Sequence, residues 1–331
     1  MEGCALSLAI GVIGAGVMGT EHARILREET SGARLVAVCD ADPVRAAAAR
    51  DARTFSDPRA LIASNMVDAV VVASPDATHA EYALAAINAG KPVLCEKPIA
   101  ASAADGHRIV EAEAALGRRL VQVGFMRRFD AAYGEMRRTR RDGGIGVPVV
   151  LHNIHRNLAA PDWFTGAMAV TNSFVHEIDI SRWLLGSEMV AAQIFPAGDT
   201  GLMMIMMRTD KGELVSTEVN INGGYGYHVH AQLVGSKGTI EMAAPTRTLT
   251  NHAGAQSFGF PPDWIPRFTQ AYRDQMQAWV NAVATGTAVG ASAWDGYVTT
   301  AVAEQIAASL NAGCATEITL PPRPALYVKE R

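Results

Sequence analysis

Cysteine is scarce. Cys4, Cys39, Cys95 and Cys314 lie far apart, and none forms a C-x-x-C pair. That spacing offers neither a disulfide framework nor a zinc site, so no bound metal is expected. Cys39 and Cys95 fall in apolar, strand-like runs, where a thiol packs as a small hydrophobe, and a reducing cytoplasm suits such a chain. An excess of one charge is also missing. Lysine and arginine number 29 against 33 aspartates and glutamates, a net charge of −4. That balance gives no whole-protein reason to expect nucleic acid or a membrane as partner. Long apolar runs are missing too. The stretch LAIGVIGAGVMG is too short to cross a bilayer and follows no basic segment, so neither a span nor a secretory leader is expected. No tandem repeat or low-complexity linker occurs.

What remains is an ordinary globular composition, 49% hydrophobic and 19% charged, and 331 residues are enough for two domains with their own cores. At first, short β-like runs alternate with helical ones: LAIGVIG, TEHARILREE, RLVAVCD, PVRAAAAR, VDAVVVASP, HAEYALAAINAG, PVLCEKP, ADGHRIVEAEAALG, RLVQVGF. This rhythm predicts a parallel sheet covered on both faces. From Val147 the runs VPVVLHNIH, MMIMMRTD, ELVSTEVNI, HVHAQLVG and GTIEMA read as longer strands. In ELVSTEVNI, Val215, Thr217, Val219 and Ile221 share one face and Leu214, Ser216, Glu218 and Asn220 the other, the period of a half-buried antiparallel strand. DKGE and GSKGT suit hairpin turns, and helices are expected around 176–186, 268–285 and 294–312. The fold class is therefore α/β. A Rossmann-type doubly wound parallel sheet is expected over residues 1–125, followed over 126–331 by an α+β domain with a large, mostly antiparallel sheet.

The first strand runs into Gly14-Ala15-Gly16-Val17-Met18-Gly19, a G-x-G-x-x-G that opens a helix. The first glycine permits the tight turn, the second a close approach of backbone to a pyrophosphate, and the third close helix–strand packing. The helix N-terminus supplies N–H groups for the anion. The next strand ends at Asp40, about 20 residues on, where an acidic side chain binds ribose hydroxyls and repels a 2′-phosphate. NAD is thus favoured over NADP, and Arg45 could moderate that preference.

Two further segments sit where ligands bind in such sheets, beyond the carboxyl ends of strands. One is Ser74-Pro75-Asp76-Ala77-Thr78-His79, the other Glu96-Lys97-Pro98. Together with the Gly14 loop and the His176-Glu177-Ile178-Asp179 helix, these segments resemble the glucose–fructose oxidoreductase, inositol dehydrogenase and MocA family in order and spacing. The resemblance covers essentially the whole chain. GFMRRFDAAY, the His155-Arg156-Asn157 run, VHEID, GYGY and SAWDGY look most like the inositol 2-dehydrogenases of that family.

The resemblance implies reversible oxidation of a ring secondary alcohol to a ketone, with hydride passing to nicotinamide C4. Lys97 would stabilise the developing alkoxide and His176 would take the proton. Chemistry asks for the same parts, since hydride leaves readily only from an alcohol losing its proton. Ser74, Pro75, His79, Glu96 and Met126 would line the cofactor, Met126 being read either as an apolar wall or as plain core. His155 and Asn157, two apart on a strand, could hold neighbouring hydroxyls of a polyol, with Arg127 and Tyr227 as further contacts. Asn157 could equally cap a turn, and Arg127 could belong to a structural ion pair. In the inositol dehydrogenases the residue four before the histidine is usually aspartate. Here it is Asn172, which can orient but carries no charge and takes no proton. His228 and His230 also depart from an expected acidic-then-basic pair. Met203, Met204, Met206 and Met207 face either a partner or the core. The resemblance implies a homo-oligomer, a dimer or tetramer through the C-terminal sheet.

Overall fold

Short β-branched runs build the first sheet. The computed structural model describes residues 7–49, 51–198, 201–243 and 248–330; Cys4 lies outside them. The first six strands are β1 (Leu8–Ile13), β2 (Ala33–Cys39), β3 (Arg53–Phe55), β4 (Ala69–Val72), β5 (Val93–Cys95) and β6 (Val121–Val123). Between them run α1 (Val17–Glu28), α2 (Pro43–Ala48), α3 (Pro58–Ala63), α4 (Asp76–Asn88) and α5 (Ala103–Leu116). The order across the sheet is β6-β5-β4-β1-β2-β3, every neighbour parallel. Covered on both faces, β1, β4 and β5 are apolar throughout rather than alternating: all four residues of β4 are fully buried. Each such valine contributes roughly 1.5–3 kcal/mol of transfer free energy. The strand order reverses between β1 and β4, so a crevice is expected beyond their carboxyl ends. The sequence pattern gives no sign of β3, which is three residues long and mostly exposed.

Caps set the helix starts. Asp42 accepts from Val44 N, Asp57 from Arg59 N and Ser102 from Asp105 N, and the first two are each followed by proline at the first helical position. The helix α1 differs: its N-cap is Gly16, with no side-chain capping bond and no acidic residue in the first turn.

The second sheet belongs to the following stretch. There α6 (Ala131–Arg141) leads to β7 (Pro148–Arg156), the single turn α7 (Gly166–Met168), α8 (Val175–Leu185), β8 (Met189–Pro196), β9 (Leu202–Thr209), β10 (Leu214–Asn220), β11 (His228–Gly235) and β12 (Gly238–Glu241). The order is β12-β11-β7-β10-β9-β8. All neighbours are antiparallel except β7 and β10, which run parallel. In β10, Val215, Thr217, Val219 and the following Ile221 are all buried, while Leu214 is 42% exposed, so the alternation read from the sequence is the observed one. The turn after β9 places Gly212 at φ +91°, as a hairpin demands. The methionines of β9 divide by parity: Met203 and Met207 are core, Met204 and Met206 lie on the opposite face.

Beyond the small hairpin of β13 (Thr250–His252) and β14 (Ala255–Ser257), the chain returns to both sheets. Helix α9 (Trp264–Thr285) precedes β15 (Ala291–Ser292), which adds antiparallel to β6. Helix α10 (Ala293–Ala308) precedes β16 (Thr316–Glu317), which adds antiparallel to β8. The described residues accordingly form two compact units that are not consecutive in sequence. One holds the chain up to Phe129, Gln270–Ala301 and the segment from Pro321; the other holds Asp130–Thr269 and Val302–Leu320. Residues 270–301, assigned from the sequence to the second domain, thus pack with the first.

Candidate functional site

In the first unit, the loops after β1, β2, β4 and β5 bring the nucleotide residues together. Gly14 turns at φ +91°, and a Cβ there would lie 2.5 Å from the Ala73 carbonyl oxygen. A Cβ on Gly19 would fall 1.8 Å from the Gly14 oxygen, so α1 packs on its strand only because position 19 has no side chain. Gly16 is the opposite case, with nothing within 4 Å of a Cβ. An open, uncapped helix start beside a glycine is where a diphosphate fits, and Val17, 65% exposed, borders the same space. Met18 follows as the second residue of α1. At the end of β2, Asp40 accepts from Ala15 N at 2.6 Å and Asp42 N at 2.8 Å, and pairs with Arg45 Nη2 at 2.9 Å. Burial opposes its charge, but these three donors hold its carboxyl below the usual value. These residues fit an adenosine diphosphate moiety.

Next door, Ser74 Oγ and Thr78 Oγ1 are 2.6 Å apart, and Thr78 Oγ1 donates to the Pro75 carbonyl, fixing the start of α4. His79 is buried, its two ring nitrogens 2.7 Å from the Pro98 oxygen and 2.8 Å from the Ser74 oxygen. Beyond β5, Lys97 is half-buried and Glu96 fully within the protein. Glu96 Oε1 lies 2.7 Å from His22 Nε2 of α1, and Glu96 Oε2 accepts from Lys97 N at 3.2 Å. Burial would raise this carboxyl, yet His22 and Lys97 hold it below its ordinary value. Gly124 makes room for it, since a Cβ there would stand 2.9 Å from the carboxylate. Met126 and Arg127 form a 3₁₀ turn after β6, each only 1% exposed.

In the second unit the polar residues collect where α8 packs on the buried face of its sheet. Leu151, Asn153 and His155 of β7 all point inward. Asn153 Nδ2 donates to Ser181 Oγ at 3.1 Å, and His155 Nδ1 is 2.9 Å from Glu177 Oε2. The His155 ring meets Tyr227 edge-on at 5.7 Å and lies 6.4 Å from the ring of His176, which is 8% exposed. Tyr227 in turn packs edge-on to Phe268. Asn157 falls just past the end of β7; its Oδ1 is buried and has no hydrogen-bond partner among the described residues, which suits a ligand hydroxyl better than a turn cap.

Asn172 lies in no regular helix, just ahead of the helix expected at 176–186. Residues Ala169–Ser173 form a π-helical turn, closed by Phe174 N on the Ala169 oxygen at 2.9 Å, before α8 begins at Val175. Such one-turn widenings gather at functional sites, and this one takes Asn172 off the 100° spacing by which a regular helix would set it on one face with His176, four residues on. Two residues escaped the sequence reading. His22 could have been found as the one polar residue on the buried face of α1, and Glu177 as the acid beside His176.

Comparison with known proteins agrees with this layout. Residues 8–125 match the model of an oxidoreductase family described as an NAD-binding Rossmann fold, and 141–318 match its C-terminal alpha/beta domain. Inositol 2-dehydrogenase 2 of Saccharopolyspora erythraea is 46% identical, with 97% of this chain and 98% of that protein covered. Inositol 2-dehydrogenase of Klebsiella pneumoniae is 41% identical, with 97% and 99% covered. The crystal structure of myo-inositol dehydrogenase from Lactobacillus casei, in complex with NAD(H) and myo-inositol, superposes with a TM-score of 0.93 at 31% identity, covering 97% and 99% of the two chains. With both family models matched in sequence order and full-length relatives above 40% identity, the chain belongs to the glucose–fructose oxidoreductase, inositol dehydrogenase and MocA oxidoreductase family.

Proposed function

We propose that this protein is an NAD-dependent dehydrogenase that reversibly oxidises a ring secondary alcohol of an inositol-type cyclitol to the ketone. The observation that carries the reading is the placement, at the carboxyl ends of β1 and β5 on either side of β4, of an open, uncapped diphosphate loop and the Glu96–Lys97 turn. Full-length relatives named inositol 2-dehydrogenase supply the substrate class. NAD, held by Gly14, Gly16, Val17, Met18 and Asp40, supplies the hydride acceptor. Asp40 disfavours a 2′-phosphate, so NADP is the poorer cofactor. Lys97 stabilises the charge growing on the substrate oxygen, and His176 accepts its proton. Arg127, His155, Asn157 and Tyr227 hold neighbouring hydroxyls, and Asn172 orients rather than titrates. Ser74, Pro75, His79, Glu96 and Met126 shape the loops around the cofactor.

The reading includes a cytoplasmic homo-oligomer, dimer or tetramer. Among the described residues no helix is long and apolar enough to cross a membrane. Phe195 and Met204, 47% and 37% exposed, are direct cross-strand partners on the outer face of the second sheet, the side offered to another copy. Asn172 favours one alternative, a paralogue that turns over an aldose or amino-cyclitol, or turns over slowly. The test is NADH formation by the purified protein with NAD or NADP over inositols, aldoses and amino-cyclitols. Turnover of an inositol with NAD supports the reading. Turnover of an aldose or amino-cyclitol alone supports the alternative, and silence with NAD bound overturns the assigned chemistry.

A further inference from the structure

The buried ring of His79 makes a demand on its protonation that no neutral imidazole meets. Its Nδ1 lies 2.7 Å from the Pro98 carbonyl oxygen and its Nε2 lies 2.8 Å from the Ser74 carbonyl oxygen. A backbone carbonyl oxygen only accepts hydrogen bonds, and a neutral imidazole has a single N–H to give. With either tautomer, one ring lone pair would point at an oxygen lone pair at hydrogen-bond distance. Inside the protein that repulsion is not screened by water, because the residue is 1% exposed. Only the imidazolium, a donor at both nitrogens, satisfies both contacts.

We propose that His79 is held as an imidazolium at neutral pH and that, by donating to Ser74 and Pro98 at once, it ties the loop after β4 to the turn after β5 and so positions Lys97. Ser74 lies in the segment that β4 delivers, and the Pro98 carbonyl belongs to the peptide just beyond Lys97-Pro98, so the clamp anchors the turn one residue after the lysine. Both nitrogens lie against backbone oxygens, with the Cys95 side chain as a further hydrogen-bond partner, which makes His79 a positioning residue rather than a cofactor contact. The titratable groups facing it are Cys95, at the end of β5, and Asp76, in the first turn of its own helix. Burial opposes the charge, but Cys95, the Pro98 carbonyl and Asp76 outweigh it and raise His79 to about 10. The positioning half rests on the assignment of Lys97 to the reacting hydroxyl; the protonation half does not.

Two measurements on the full-length protein separate them. In ring ¹H–¹⁵N correlation spectra of histidine-labelled protein, assigned through ring-to-backbone contacts, His79 is expected to show two protonated nitrogens at about pH 8, well above the ~6.5 of a free histidine. One bare nitrogen there overturns the proposal. In His79→Gln the amide offers N–H on one side and an acceptor oxygen on the other, so one of the two carbonyls loses its donor. The variant is expected to bind NAD within about threefold of wild type while kcat falls about 10–100-fold, the scale of a roughly 1 Å misplacement at a reacting centre. An unchanged kcat overturns the positioning role, as does a loss confined to the KM for NAD. Should wild type turn over no polyol at all, the reading of Lys97 fails while the spectra still decide the charge.

Discussion

Two alanine substitutions three residues apart, Gly16→Ala and Gly19→Ala, test the cofactor loop from opposite directions. At Gly16 the backbone is extended, with φ −72°, and nothing lies within 4 Å of a new Cβ. The apoprotein should therefore keep its stability to within about 0.5 kcal/mol. The methyl instead occupies the space through which a diphosphate reaches the first N–H groups of α1. Losing one hydrogen bond to a charged group costs about 1.5–3 kcal/mol, so NAD should bind roughly 10–100-fold more weakly at 1.4 kcal/mol per decade. At Gly19 the new Cβ would stand 1.8 Å from the Gly14 oxygen and 2.7 Å from its carbon, both backbone atoms that cannot swing aside. Overpacking of this kind costs about 1–3 kcal/mol or more, only partly offset by the ~0.5–1 kcal/mol that alanine gains over glycine in a helix. Thermal melts of the apoproteins and NAD titrations by fluorescence separate the two. A Gly16→Ala protein with wild-type NAD affinity would refute the placement of the diphosphate, and a Gly19→Ala protein that melts with wild type would refute the packing argument.

Three further expectations follow from the same geometry. Asn172→Asp should raise turnover about 10²-fold or more, within the range of general-base contributions; an unchanged rate with substrate binding intact removes this residue from the mechanism. Glu177→Ala removes the carboxylate that pairs with the buried His155 ring and should destabilise the protein by about 1–3 kcal/mol in denaturant melts, whereas an unshifted midpoint would show that the pair contributes nothing net. Glu113 accepts from Val121 N and Tyr327 Oη in the core, and burial pushes its carboxyl above the ordinary value. With the native pKa above the ~4.3 of an unfolded glutamate, the native state binds the proton more tightly. The contribution is therefore fully present below that value and lost as pH rises through the native pKa. Wild type should lose stability relative to Glu113→Gln over that interval, and parallel curves would exclude Glu113 as the titrating group.

What the sequence makes legible is whatever has a period or a local reason. The alternation of Val215, Thr217 and Val219 marks a half-buried strand, and the run of β4 marks one buried on both faces. The run Met203–Met207 hides its parity because every residue in it is apolar, so only the sheet separates Met204 from Met203. The parallel pairing of β7 with β10 joins Val150 to Leu214 across α8, β8 and β9, and nothing local encodes it. The site follows the same rule. Gly14, Gly16 and Asp40 stand at fixed spacings in one strand–turn–helix unit, so the motif finds them. His22 and Glu96 are 74 positions apart and meet only when the sheet forms. The π-turn before α8 depends on packing and leaves no signature in TNSFVH.

The interleaving of the two units carries a consequence for synthesis. The nucleotide sheet gains its last strand from Ala291–Ser292, and its buried Glu113 is matched by a tyrosine 214 positions later. A ribosome making this chain therefore releases the NAD loop long before the residues that finish the unit around it. The early segment must wait, part-assembled, while the whole second sheet emerges. Severing the chain near residue 125 would leave a fragment with the right motif, an unpaired strand edge at β6 and a core acid stripped of its tyrosine, a better client for chaperones than binder of NAD.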